Sequence, residues 1–280
     1  KRILDLDSAL VKVSYRLGDV NYQREYFSSN PARSTVVRLS ADKQGSLSFS
    51  LSLSRPGEGE KVTVEGNELV MRQKVDDKKG VTYETRVRLI ASGGTIITRN
   101  SEIAVQGADE VVLVQVAATD YRQDDPARMC RDFLSRTDNR SYEQIKSEHV
   151  ADYRNLFGRV SLDLGNSDAC FFPTDQRLEA LKMGSADPGL FALYYQFGRY
   201  LLISSSRPGS LPANLQGLWD PTLTPPWNAD YHININIQMN YWPSETTNLS
   251  ECHIPFLDFV GNLRTHGRET ASRLYGAKGF

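Results

Sequence analysis

Cysteine is scarce in this sequence: Cys130, Cys170 and Cys252 are its only three. None stands at the short Cys/His spacings from which zinc sites are built, so no structural metal is expected. An odd count leaves at least one thiol unpaired, and a disulfide framework is not indicated. An excess of one charge is missing too. Thirty-three Lys and Arg stand against 34 Asp and Glu, a formal net charge of −1, so no global basic field invites nucleic acid or an anionic membrane surface. No apolar run approaches the roughly 20 residues that span a bilayer. The chain opens on charged KRILDLD in place of a signal peptide and lacks an initiating Met, from which a start inside a longer gene product is expected. No glycine-rich phosphate loop precedes a helix. His149, His253 and His266 have no nucleophilic Ser or Cys motif nearby, which weakens a hydrolase triad. Nothing calls for a cofactor.

What is present is apolar and aromatic. Forty per cent of the residues are hydrophobic, with 13 Tyr, 11 Phe and 3 Trp, enough to build the cores of two packed units at this length. Up to about Arg122 the pattern has period two. ALVKVSYRL, STVVRLSA, GSLSFSLSLSR, KVTVEGNELVMRQKV, VTYETRVRLIA, GTIITRN and DEVVLVQVAATD read as seven or so strands divided by turn residues. This predicts an all-β sandwich. SFSLSLS carries no charge, which would invite aggregation at an edge, so it is expected inside a sheet. Beyond Tyr121, DPARMCRDFLSRT and SYEQIKSEHVADYRNLFGRV show three-and-four spacing and predict two bridging helices. VSLDLG predicts a short return to strand. QRLEALKMG, DPGLFALYYQFGRYLLISSS and HIPFLDFVGNLRTHGRETASRLYG predict further helices, with a Pro/Gly/Asn-rich connection over 207–228. A connection of that length in a compact domain points to a site.

Four stretches bear on chemistry. SSSRPGSLPANLQGLWD offers Asn214, Gln216 and Trp219 on turns forced by its Pro and Gly; it serves equally as a polar loop capping a helix. PTLTPPWNADYH sets Trp227 beside a rigid Pro pair, a sugar platform or a buried structural Trp. HININIQMNYWP, if extended, places His232, Asn234, Asn236 and Gln238 on one side and Ile233, Ile235 and Ile237 on the other as apolar anchors. An amide cannot take a proton at neutral pH, but paired amides fix a water or hydroxyl through donors and acceptors. They can also simply satisfy loop carbonyls. NYWPSETTNLSECHIP brings Glu245 and Glu251 near these amides. Glycosidic hydrolysis needs a carboxylic acid and a group that delivers water, and either Glu could be that acid, a helix cap or a salt-bridge partner.

At these residues a resemblance emerges. SSSRPGSLPANLQGLWD followed by LTPPWNADYHININIQMNYWPSETTNLSECHIP resembles the signature of glycoside hydrolase family 95, the inverting α-L-fucosidases. DPGLFALYYQFGRYLL, DYRNLFGRVSLDLG and YFSSNPARSTVVRLSA are similar to the same family, so the likeness covers nearly the whole chain. The resemblance implies a multidomain β + α protein: a β-sandwich, here incomplete, over 1–122, a helical linker over 123–160, and the start of an (α/α)6 catalytic barrel over 161–280. It implies a glycosidase without cofactor or metal that removes terminal α-1,2-linked L-fucose from a glycan with inversion, its other partner being the remainder of its own barrel. Asn234 and Asn236 match the paired asparagines that orient the attacking water, helped by a carboxylate elsewhere in the barrel. His232 matches the position touching the C5 substituent of the sugar, where His is similar to the fucose-preferring pattern and Thr to the L-galactose-tolerant one. Trp227 and Asn214 are expected to contact the sugar.

In the family the general acid comes from helices downstream, so Glu245 and Glu251 are expected to support the site. The chain alone is then expected to be inactive, with two or three helices of twelve and apolar faces exposed. An α-L-galactosidase of the same family and a non-catalytic glycan-binding protein are the alternatives. Family members are often exported, so a periplasmic, cell-surface or extracellular location is expected.

Overall fold

The computed structural model describes residues 1–56, 61–75, 80–122 and 125–280. They form two compact units, Lys1–Asp152 and Tyr153–Phe280. The expected break after residue 122 abuts 123–124, which lie outside the described residues.

The first unit is built from β1 (Arg2–Asp5), β2 (Leu10–Leu17), β3 (Val20–Ser29), β4 (Ser34–Ala41), β5 (Leu47–Ser52), β6 (Val62–Glu65), β7 (Glu68–Lys74), β8 (Thr82–Ser92), β9 (Thr95–Thr98), β10 (Glu102–Ala108) and β11 (Glu110–Thr119). One sheet has eight strands in the order β1-β2-β3-β4-β11-β8-β7-β6; the other has three, β5-β10-β9. Every strand pairing is antiparallel. Gly93 and Gly94, both with positive φ, carry the chain from β8 in the first sheet to β9 in the second. A Cβ on Gly94 would lie 2.4 Å from the Gln106 carbonyl oxygen, so only glycine allows the β9–β10 approach there.

β11 explains the core. Val111 packs with Leu47, Leu69, Leu89, Ile103 and Val105 between the two sheets. Val112, Val114, Val116 and Ala118 face the other way, onto helix α1 (Pro126–Ser135) and the first half of helix α2 (Tyr142–Phe157) through Cys130, Leu134, Tyr142 and Ile145. A strand covered on both faces reads as a near-continuous apolar run, and full burial of each Val is worth about 1.5–3 kcal/mol. Asp125 caps α1 by accepting from the Ala127 amide, and Pro126 fills the first turn. On the same side Glu25, buried in β3, accepts from the Tyr142 hydroxyl at 3.0 Å and from Lys146 at 3.0 Å.

Several expectations change here. β1, β3 and β10 are strands the periodicity did not single out. In β3 the inward positions include Glu25 beside Phe27, so charge masks the alternation. KVTVEGNELVMRQKV is a hairpin, β6 and β7, turning at Gly66. SFSLSLS is not interior to a sheet: among the described residues β5 pairs with β10 alone and forms an edge. Its Ser48, Ser50 and Ser52 face solvent while Leu47, Phe49 and Leu51 pack inward. VSLDLG is not a strand; the Val160 carbonyl is taken by the Gln196 amide and the Arg199 guanidinium.

The second unit contains α3 (Thr174–Lys182), α4 (Pro188–Ser205), α5 (Asn236–Tyr241), α6 (Pro243–Thr246) and α7 (Ser250–Tyr275). Asp187 caps α4 by accepting from the Leu190 amide, and its two carboxylate oxygens also hold Arg177 at 2.8 and 2.9 Å. Farther along α4, Arg199 is 2% exposed. Its guanidinium donates to the carbonyls of Leu156 at 3.0 Å, Phe157 at 2.6 Å, Val160 at 3.2 Å and Thr247 at 3.3 Å. The last carbonyls of a helix have no partner within it, and Arg199 supplies one for the end of α2 while tying in the turn after α6. α4 and α7 also carry apolar side chains left open to solvent, among them Phe191, Tyr194, Leu257 and Leu274. No helix among the described residues is long and apolar enough to cross a membrane.

Replacing Arg199 with Met, of similar length but without donors, strands these buried carbonyls. Each stranded group costs about 1–3 kcal/mol, so the midpoint of urea unfolding should fall by an amount equal to at least about 3 kcal/mol; a shift below 1 kcal/mol would contradict this account.

Candidate active site

The site is assembled from the irregular stretch 206–235 and the two short helices that follow. Asn214 and Gly217 form a tight reversal with backbone bonds of 3.0 and 3.2 Å in both directions, and the Asn214 side-chain oxygen accepts from the Gln216 backbone N–H at 2.8 Å. Asn commonly stabilises a turn this way. Gly217 has φ +68°, and a Cβ there would meet the Trp219 ring at 2.6 Å. The reversal is joined to the next stretch by Leu215 N–H to the Asp230 carbonyl and by the Gln216 amide to the Pro226 carbonyl, each 3.2 Å. Trp227, Asn228 and Ala229 lie consecutively in the left-handed region at φ 49°, 56° and 50°, and His232 follows at 36°. For residues other than glycine each such conformation costs of order 1–3 kcal/mol, and such strain gathers at functional sites.

The amide ladder is not extended. α5 begins at Asn236, so His232, Asn234, Asn236 and Gln238 do not line one side of a strand. Nor do three isoleucines anchor it. Ile237 is 1% exposed, but Ile233 is 62% and Ile235 41% exposed. Ile237 and Tyr241, four residues apart and therefore on one face of a helical turn, are both buried, and that burial outweighs the short alternation. The amides then part in their roles. Gln238 donates back to the Ile233 carbonyl at 2.7 Å, and Asn240 donates to the Asn214 carbonyl at 3.0 Å. The carboxamides of Asn234 and Asn236 make no side-chain hydrogen bond to another described residue. His232 Nε2 lies 2.8 Å from Asp230 Oδ1. Trp227 is 72% exposed.

The hydroxyl of Tyr241, at the end of α5, is buried. It accepts from the Ala213 amide at 2.8 Å and lies 2.8 Å from Ser206 Oγ, which donates to the Cys252 carbonyl at 2.7 Å. Its ring stacks on Phe256 and His253. Burial pushes its pKa above the ordinary tyrosine value, so the hydroxyl keeps its proton. Tyr241 and Ser206 received no role from the sequence, although both stand inside the quoted motifs; the aromatic directly behind the amides was the available signal.

Glu245 and Glu251 are both engaged. Glu245 accepts from Ser250 Oγ at 2.5 Å and pairs with His253 Nδ1 at 2.9 Å. Those contacts, the serine bond first, lower its pKa. Glu251 receives both arms of Arg159 at 2.9 Å, and the guanidinium holds its carboxyl below the usual carboxylate range. A general acid at neutral pH needs the opposite shift. Among the described residues no group of three His, Cys, Asp or Glu lies close enough to hold a metal ion.

A putative kojibiose phosphorylase from human microbiome shares the fold at a TM-score of 0.50 and 11% identity, over 76% of this chain and 30% of that one. Residues 1–124 match the N-terminal domain of glycosyl hydrolase family 65. Residues 141–280 match the catalytic domain of glycosyl hydrolase family 95, and the chain belongs to that family. It is 35% identical to Alpha-L-fucosidase 2 of Arabidopsis thaliana, over 100% of this chain and 38% of that protein. It is 34% identical to Probable alpha-fucosidase A of Aspergillus niger, over 99% and 37%, and 31% identical to that of Aspergillus oryzae, over 100% and 42%. The chain thus spans about two fifths of the length of these relatives.

Because the Glu251 pKa is lowered by folding, the Arg159 pair stabilises above the unfolded carboxylate pKa, near 4.5, and that contribution is lost as pH falls through the folded value. Glu251 is partly exposed, so the pair is worth about 0.5–1 kcal/mol. Glu251→Gln should be less stable than the parent by that amount at pH 7 and equal to it near pH 3, as read by urea titration at both pH values; a gap that widens in acid would overturn the assignment.

Proposed function

We propose that the complete polypeptide is an inverting α-L-fucosidase acting on terminal α-1,2-linked fucose, and that these 280 residues hold its water-orienting half. The observation that carries this is the pair of uncommitted carboxamides, Asn234 and Asn236, beside Gln238 and Asn240, whose NH2 groups are donated to backbone carbonyls. The relatives named for α-fucosidase activity support the sugar. Each carboxamide offers one acceptor and two donors. An Oδ1 accepts one proton of the water and an Nδ2 donates to its second lone pair or to a sugar hydroxyl, so the free lone pair points at the anomeric carbon from the face opposite the leaving oxygen. Neither amide removes the proton; a carboxylate elsewhere in the barrel does so. The helices of the second unit form the opening part of an (α/α)6 barrel, and their open apolar side chains support that reading. The eight- and three-stranded sheets form part of its β-sandwich.

His232, held by Asp230, faces the C5 methyl of fucose, and Trp227 and Asn214 bound the sugar. Glu245 and Glu251, already engaged, shape the wall while the general acid lies elsewhere. The 280 residues alone therefore turn over 10²- to 10⁴-fold more slowly than the whole, the usual loss without general acid help. The protein acts outside the cytoplasm, where fucosylated glycans are found.

Proton NMR of the complete polypeptide with 2'-fucosyllactose should show β-fucose first. Early α-fucose would mean retention. No release by the folded protein would turn attention to α-L-galactosides and then to a glycan-binding role. Asn234→Ala and Asn236→Ala should each lower kcat by about 10²-fold or more with KM changed little, since loss of orientation acts on the transition state. His232→Thr should shift preference toward L-galactosides, and an unchanged preference would remove His232 from substrate selection.

A further inference from the structure

The hydrogen bonds around Tyr241 run in one direction. Ser206 Oγ has a single hydrogen, which goes to the Cys252 carbonyl. The 2.8 Å bond between Ser206 and Tyr241 is therefore donated by the tyrosine, whose oxygen in turn accepts from the Ala213 amide. The chain reads Ala213 N–H to Tyr241 O–H to Ser206 O–H to Cys252 C=O, and all four residues are at most 5% exposed. It joins the end of α4, the loop at 213–214, the end of α5 and the first turn of α7. Alongside it, Asn240 holds the Asn214 carbonyl. α5 is thereby fastened by two side chains at its C-terminal end to the loop carrying Asn214, while its first residue is Asn236.

We infer that Tyr241 is a positioning residue for the hydrolytic water: its hydroxyl sets the register between the Asn214 loop and the helix that presents Asn236. This rests on the water-orienting reading above. Asn240 makes the second tie to that loop, but Tyr241 and Ile237 are the buried side chains of α5, and of these two only Tyr241 carries a polar atom. The distinction from simple packing is testable. Tyr241→Phe keeps the ring against Phe256 and His253 but leaves the Ala213 amide without an acceptor and Ser206 without a donor. A misplacement of about 1 Å costs on the order of 10²-fold in rate.

The test is a double-mutant cycle in the complete polypeptide, comparing parent, Tyr241→Phe, Asn236→Ala and the double variant on an activated aryl fucoside, with rates referred to folded protein by melting curves. Tyr241→Phe should lower kcat about 10- to 100-fold with KM within about 3-fold, and should cost less than about 3-fold more in the Asn236→Ala background. Equal fold losses in both backgrounds, a raised KM at unchanged kcat, or parent-like turnover would overturn the inference. Should Tyr241→Phe fail to fold, Ser206→Ala breaks the chain from its other side and is judged by the same cycle. Parent-like activity of Asn236→Ala alone would instead remove the water-orienting reading and this inference with it.

Discussion

The helical unit depends on a positive charge buried without a carboxylate. Among the described residues Arg199 donates its hydrogen bonds to oxygen dipoles, four backbone carbonyls and the Gln196 side chain at 3.1 Å. Burial pulls its pKa down, yet guanidinium stays charged in proteins, so the desolvation must be offset by those dipoles together with the Phe157 ring face, 5.3 Å away. A lysine could not replace it, because three donors on a point charge cannot reach carbonyls spread over the end of α2 and the turn after α6. That turn leads straight to α7, and α7 supplies the Cys252 carbonyl on which the Tyr241 chain ends. The orientation of the amide helix is therefore downstream of one guanidinium some forty residues earlier in the chain.

Glu245 on α6 and Glu251 in the first turn of α7 show how a family motif can mix roles that composition cannot separate. Glu251 binds Arg159 and Glu245 binds Ser250 and His253. Both carboxyls are made more acidic by their partners, the direction that suits a fixed wall and not a proton donor. Meanwhile the open hydrogen-bonding capacity sits on neutral groups. Hydrogen bonds made by those amides do not change with pH, because amides do not titrate.

Much of the architecture was legible. Helices α1 to α4 and α7 follow from three-and-four spacing with Asp-Pro starts at 125–126 and 187–188, where the acid caps and the proline fills the first turn. β11 was legible as one of the Val-rich strands between turn residues, although it is covered on both faces and not on one. β3 was not, because a buried Glu25 answered by Tyr142 and Lys146 looks polar from sequence and is apolar only in context. The ladder misled through its shortness: four alternating residues fit a strand, but a bend at His232 and a buried Ile237 turn the same residues into a helix start. The family pattern drew attention to Asn234 and Asn236, whereas the wiring through Ser206 and Tyr241 was not legible, since hydrogen-bond direction depends on distances that no spacing rule contains.

The place of β11 has a consequence for biosynthesis. β4 pairs with β3 at once, but its other edge waits for β11, where Thr35 meets Gln115 across 80 residues of chain. At roughly 5–20 residues per second that edge stays open for about 4–16 s on the ribosome, with Val36 and its neighbours uncovered. Arg38, which later bonds to Glu110 on β11, keeps a charge on the waiting strand, a safeguard against pairing with another nascent chain.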